Sequence, residues 1–159
     1  MAFLPEYFAG GGLALKIVVI TVSDRVARGE YVDRSGPAVA EEIQRVLPDC
    51  SVQIEIVPDG VESVQQAFLR HPEADWILTT GGTGPGPRDH TPEATSLYID
   101  RPVYGIAEYL RARSIEETPN AVFSRAIAGL RGRQFIINLP GSEKGARFCA
   151  KLLAPLLEH

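Results

Sequence analysis

Thr79-Thr80-Gly81-Gly82-Thr83-Gly84-Pro85-Gly86-Pro87-Arg88-Asp89-His90-Thr91-Pro92-Glu93 is the stretch that decides how this chain is read. The apolar run from Trp76 to Thr80 enters it and a helix start leaves it, so it is the bend of a strand–loop–helix unit. Glycines in such a bend let backbone N–H groups reach an anion or a planar ring with no Cβ in the way, and the helix N-terminus adds partial positive charge. Two familiar nucleotide loops do not fit: no Lys-Ser or Lys-Thr follows the glycines, and Pro87 stands where a dinucleotide fingerprint needs its third glycine. Taken alone, the glycines suit an ordinary connection as well as a phosphate loop. Arg88-Asp89, a charged pair just before the helix start, tilts the reading toward the phosphate loop.

Outward from the loop, Leu15 to Val22 is β-branched and almost continuously apolar, as in a parallel strand buried on both faces. Arg25 to Ser35 is polar and reads as a loop carrying Arg25, Arg28 and Arg34. A helix opening at Gly36-Pro37 has Val39, Ala40, Ile43, Val46 and Leu47 at helical spacing and stops at Pro48. Val52 to Val57 alternates as a strand and leads into Pro58-Asp59-Gly60; Val61, Val64, Phe68 and Leu69 then mark a helix that ends before His71-Pro72. Thr91-Pro92 predicts an N-cap with a first-turn proline, and Pro102 divides that helix from a second with Ile106, Tyr109, Leu110 and Arg113 near one stripe.

Thr118-Pro119 repeats the cap-and-proline signal and predicts a short helix through Ala128, ended by Gly129. Gln134 to Leu139 is the last strand, and Pro140-Gly141-Ser142 turns the chain into a C-terminal helix with Phe148, Leu152, Leu153 and Leu156 on one side, kinked or restarted at Pro155. Alternating strands and helices predict an α/β fold: a single three-layer αβα domain over 13–159 with a mainly parallel sheet, preceded by an N-terminal extension over 1–12.

A chain of 159 residues holds one such domain with a sizeable core and is too short for two. No segment has the length of a membrane span, and the N-terminus has no basic region before its apolar stretch, so a cytoplasmic protein is expected. Cys50 and Cys149 are far apart, with no CxxC spacing or His cluster, which favours free thiols over a disulfide or a metal site. The net charge of −4 argues against nucleic acid as a general partner. An acidic protein that binds phosphates must concentrate positive charge locally or recruit a divalent cation.

Ligands of open α/β sheets sit outside the carboxyl ends of the strands. Ser23-Asp24, Pro58-Asp59, the Gly81 to Asp89 loop and Pro140-Gly141-Ser142 each follow such an end, so the fold should gather them on one edge of the sheet. From the residues alone Asp59, between Pro58 and Gly60, is either a turn or helix-cap residue or a site carboxylate; Asp89 is either a cap or Arg88 partner or a site carboxylate. Asp24 divides in the same way between cap and ligand contact, and Ser124-Arg125 between a solvated helix face and a ligand contact.

Thr-Thr-Gly-Gly-Thr-Gly-x-x-x-Arg-Asp-x-Thr-Pro-Glu-Ala-Thr resembles the signature of the MogA/MoaB family of molybdenum-cofactor biosynthesis proteins, a unit also found in the G domains of gephyrin and its plant counterpart. Thr21-Val-Ser-Asp-Arg25, Asp33-Arg-Ser-Gly-Pro37, Val57-Pro-Asp59, Ser124-Arg-Ala-Ile-Ala-Gly129 and Asn138-Leu-Pro-Gly141 match in the family's order. The resemblance implies Mg²⁺-dependent adenylyl transfer from ATP to molybdopterin, with Asp59 and Asp89 as the catalytic, metal-holding carboxylates. It implies substrate contacts at Ser23, Asp24, Thr80, Gly81, Gly82, Thr83, Gly84, Ser124, Arg125, Pro140, Gly141 and Ser142.

The resemblance further implies a homotrimer and hand-over of product to a molybdenum-insertion protein; Tyr98, Val103 and Tyr104, apolar residues near helix junctions, offer a contact surface for the trimer. A non-catalytic pterin-binding or scaffold protein of the same fold, and a structural interaction domain, are the alternatives. His90 and Gly60 depart from the family pattern, which often has an aliphatic and an acidic residue there; His71 and His159 read as surface residues.

Overall fold

A computed structural model of the chain describes residues 14–158; the 1–12 extension and His159 lie outside the described residues. The order of elements is β1 (Lys16–Val22), α1 (Asp24–Ala27), α2 (Ser35–Val46), β2 (Ser51–Val57), α3 (Val61–Leu69), β3 (Trp76–Thr80), α4 (Thr91–Tyr98), β4 (Arg101–Pro102), α5 (Tyr104–Glu117), a 3₁₀ turn (Pro119–Phe123), β5 (Ala128–Arg131), β6 (Gln134–Leu139) and α6 (Glu143–Leu157). The six strands form one sheet in the order β2-β1-β3-β6-β5-β4. β2, β1, β3 and β6 run parallel, while β5 is antiparallel to both β6 and β4.

Alternation along β1 builds the two cores. Ile17 and Val19 face a cluster with Val39 and Ile43 of α2, Leu47 just after it, Leu110 of α5 and Leu153 of α6. Val18, Ile20 and Val22 face the other cluster, with Val64 and Phe68 of α3 and Ala94 and Tyr98 of α4. Such double-sided burial is what a continuous β-branched run provides. The expected three-layer α/β architecture is therefore present.

Several local expectations change. The loop from Arg25 begins with the one-turn helix α1, because Ser23 caps it by accepting from Val26 N. Helix α2 opens at Ser35, a residue before Gly36, with Asp33 Oδ1 accepting from Gly36 N and Asp33 Oδ2 from the Thr21 hydroxyl. Thr91 is not the cap of α4. His90 holds that position, and the Thr91 hydroxyl donates instead to Gly81 O at 2.9 Å, tying the helix to the glycine loop.

The predicted helix through Ala128 is only the 3₁₀ turn Pro119–Phe123; Ser124 is extended, and β5 starts at Ala128 with Gly129 inside the strand. Pairing with β6 and β4 overrides the cap-and-proline signal there. Strand β4 is two residues at the sheet edge, where Pro102 is tolerated. The buried stripes of the last two helices are also rotated: Ala107, Leu110 and Ser114 in α5, and Ala146, Cys149, Ala150, Leu153, Ala154 and Leu157 in α6, with Tyr109 and Leu156 outside. Pro155 sits within the last turn of α6 and the helix continues to Leu157.

His71 is not a surface residue. It is 5% exposed, with Nε2 2.5 Å from Glu55 Oε2 on β2. Tyr98 is likewise buried, its hydroxyl 3.1 Å from Gln134 Oε1, and so is unavailable as an oligomer contact. Cys50 and Cys149 are free thiols, Cys149 buried against the Ser114 hydroxyl.

Candidate functional site

Strand register aligns the site. Val22 is opposite Val57, Thr21 opposite Thr80, and Thr80 opposite Leu139, so the residues that follow these strands leave the sheet side by side. Ser23-Asp24, Pro58-Asp59, Gly81 to Gly84 and Pro140-Gly141-Ser142 accordingly meet on one edge, as their sequence positions imply. Gly81 and Gly141 come so close that a Cβ on Gly141 would stand 3.0 Å from Gly81 Cα. Gly81 also has φ +106°, and a Cβ there would run into Val22 O, so only glycine lets β3 turn at this point. The Thr80 hydroxyl donates to Pro140 O at 2.6 Å and locks the two strand ends together.

The carboxylates are fixed by backbone groups. Asp24 N donates to Asp59 Oδ2 and Asp59 N to Asp24 Oδ1, both at 3.0 Å, a reciprocal clasp between the ends of β1 and β2. Asp59 Oδ1 faces the glycine loop: a Cβ on Gly82 would lie 3.5 Å from it. Asp89 Oδ2 accepts from Gly86 N at 2.9 Å. Burial is the main cause that pushes the Asp59 carboxyl above its ordinary range; the Asp24 and Asp89 charges push the same way, against the hydrogen bond from Asp24 N and the Arg88 charge. Three carboxylates thus share one partly buried edge.

Arg125 closes the loop. Its Nε donates to Gly84 O at 2.9 Å, its Nη2 to Asp89 O at 2.7 Å, and its guanidinium pairs with the Glu93 carboxylate in the first turn of α4. Arg125 N also donates to Thr83 O at 2.8 Å. Beside it, Arg111 of α5 donates to Ser124 O and Ala126 O, holding the extended segment against the loop. Asn138, 2% exposed, donates to the Thr79 and Thr95 hydroxyls, while its Oδ1 accepts from Ile127 N.

Every residue expected at the site is on this edge or tied to it. Several of the hydroxyls also have internal work: Ser23 caps α1, Ser142 caps α6 by accepting from Gly145 N, and Ser124 accepts from Ala126 N. Sequence reading did not single out Glu93, Arg111 or the Asn138 network. Glu93 and Asn138 stand inside quoted motifs, which was the available signal; Arg111 left none, because its partners are backbone carbonyls from another segment.

The family model described as "Probable molybdopterin binding domain" matches residues 18–159. The molybdopterin adenylyltransferase of Helicobacter pylori J99 is 36% identical over 149 residues, covering 91% of this chain and 85% of the relative. Gephyrin of Dictyostelium discoideum is 40% identical over 152 residues, or 89% of this chain; the match spans only 21% of that longer protein. Among solved structures, the molybdopterin biosynthesis enzyme MoaB of a Thermus species superposes with a TM-score of 0.80 at 41% identity, covering 90% of this chain and 91% of the other. The shared fold, the coverage and the placement of the motifs agree, and this chain belongs to the family of molybdopterin-binding domains.

Proposed function

We propose that this protein is a molybdopterin adenylyltransferase of molybdenum-cofactor biosynthesis. A terminal phosphate oxygen of molybdopterin attacks the α-phosphorus of ATP, the α–β anhydride bond breaks, and pyrophosphate leaves as adenylylated molybdopterin forms. The observation that carries this reading is the meeting of Asp59, Asp89 and the glycine loop on one sheet edge, in a chain that aligns with relatives bearing that name over most of its length. Reactions of this type need positioning and charge neutralisation more than covalent help from the protein.

The carboxylates suit Mg²⁺. Asp59 and Asp89 each have one oxygen engaged by a backbone N–H and one left over; burial raises the Asp59 carboxyl most, and the lesser push from the Asp24 and Asp89 charges is what a cation relieves. Mg²⁺ takes one or two carboxylates and completes its shell with water and substrate phosphates, a demand that Asp59 and Asp89 would meet. When bound, the ion would neutralise charge on the ATP phosphates.

The chain's own part is to hold the reactants. Backbone amides of Gly82, Thr83 and Gly84 offer donors to phosphate or pterin oxygens, that of Gly81 being engaged by Leu139 O, and we place Ser23, Asp24, Thr80, Gly81, Ser124, Pro140, Gly141 and Ser142 around them. Arg125 holds the loop that carries Asp89. We place the protein in the cytoplasm as a homotrimer that passes its product to a molybdenum-insertion protein; no described helix is long and apolar enough to cross a membrane. Pyrophosphate release from ATP on adding molybdopterin and Mg²⁺, with the adenylylated product identified by mass, tests the reading. Tight pterin binding with no release would select a carrier instead.

A further inference from the structure

Substrates that carry phosphates approach an edge already lined by Asp24, Asp59 and Asp89, and phosphate oxygens that a cation on those carboxylates would leave unmatched call for a positive side chain. Arg125 is poorly placed for this. Its donors are engaged by Gly84 O, Asp89 O and the Glu93 carboxylate, and releasing them would loosen the loop under Asp89. Arg111 is engaged by Ser124 O and Ala126 O. Arg25 lies over the Tyr31 ring with its guanidinium carbon 4.9 Å from the centroid.

Arg88 differs from all three. It sits on the glycine loop one residue before Asp89, with its side chain 79% exposed. Its ion pair, Nη1 to Asp24 Oδ2, is 3.9 Å long, beyond hydrogen-bond distance. Asp24 does not depend on that pairing, because Oδ1 is held by Asp59 N and its own N–H by Asp59 Oδ2. Arg88 can therefore leave Asp24 at little structural cost, and its planar fork of N–H donors matches phosphate oxygens.

We propose that Arg88 is the phosphate-recognising residue of this site, resting loosely on Asp24 in the free protein and moving onto a substrate phosphate oxygen on binding. The inference rests on the phosphate-transfer reading of the same edge. A terminal pterin phosphate and the polyphosphate of ATP present the same chemistry to a guanidinium, and the probes below separate them. Arg34, exposed at the N-cap of α2 beyond Asp33, is a second cation near this edge and provides an internal comparison.

The test is calorimetric titration of the full chain with two probes, ATP plus Mg²⁺ and molybdopterin alone, at several salt concentrations. Arg88→Gln should weaken at least one probe about tenfold or more, the scale of a lost hydrogen bond to a charged group. It should also flatten the salt dependence of that probe. Arg88→Lys should fall between, and Arg45→Gln, on the exposed side of α2, should match wild type. The weakened probe names the phosphate.

Unchanged affinity and salt slope for both probes in Arg88→Gln would overturn the proposal, as would a loss in Arg34→Gln with none in Arg88→Gln. Arg88-dependent binding by a protein that releases no pyrophosphate would sink the adenylyl-transfer reading and leave this one standing. Failure of wild type to bind either probe would sink both.

Discussion

Asp59 gathers the opposing demands of the site at one residue. Its raised carboxyl means that the folded chain holds that proton more tightly than the unfolded chain does. Its contribution therefore favours the fold at low pH and is lost as pH rises from the ordinary carboxylate range through the raised value. Asp59→Asn removes the charge and can keep the bond from Asp24 N, so its melting temperature should equal or exceed wild type at pH 7, with the gap closing in acid. Turnover should fall about 100-fold, as when one preorganised charge-stabilising group is removed. Asp89→Asn should lose a similar factor, and the double variant much less than the product, since groups serving one ion act as a unit. Paired melts and turnover across pH would show it; an Asp59→Asn protein that melts well below wild type at pH 7 would make Asp59 a structural residue.

Two side-chain clusters act at the scale of whole elements. Arg125 binds the glycine loop to the first turn of α4, so Arg125→Ala should free the 84–90 segment and lower turnover at least tenfold, the kind of loss that misplacement of a reacting group brings. Hydrogen exchange of the Gly86 and Asp89 amides, which now bond to Asp89 Oδ2 and Gly86 O, should speed up in that variant. Unchanged exchange with weakened pterin binding would make Arg125 a ligand contact after all.

At the other cluster, Glu55 joins edge strand β2 to Arg70 and His71 at the end of α3. Burial alone would raise the Glu55 carboxyl, but hydrogen bonds from Arg70 and His71, helped by their charges, hold it below its usual range. That stability is present above the ordinary carboxylate range and lost as pH falls through the lowered value. Glu55→Gln should cost roughly 1–2 kcal/mol in urea unfolding at pH 7 and less in acid, allowing for the half-exposed Arg70. An equal cost at both pH values would mean that shape rather than charge matters there.

For the whole molecule, the proposed trimer needs a surface, and the structure moves it. Tyr98 is in the core, whereas Tyr104 is 70% exposed at the start of α5 and Phe123 61% exposed after it. Light scattering at micromolar concentration should give three times the chain mass, and Tyr104→Glu should lower it, because a buried unpaired charge destabilises an interface. A monomer mass for wild type would end the proposal.

What could be read from the chain without coordinates was whatever local chemistry settles. The β-branched run at 16–22, Gly81 and Gly82 and the strand-then-helix alternation state a parallel α/β sheet, because a buried parallel strand and a positive-φ turn each demand those residue types at those positions. The carboxyl-edge rule then brought Asp24, Asp59 and Asp89 together. Tertiary structure decided the rest. Thr91 points at Gly81 O instead of capping its helix, and the chain from Ser124 leaves the expected helix and enters β5 at Ala128, since partners distant in sequence offer these groups better bonds than local ones do. His71 is buried because Glu55, sixteen residues away, meets it across the sheet edge. Arg125 clamps and Arg88 rests only loosely on Asp24 for the same reason: a charge's role depends on which acceptors surround it, and only the folded chain brings Gly84 O, Asp89 O and Glu93 around Arg125.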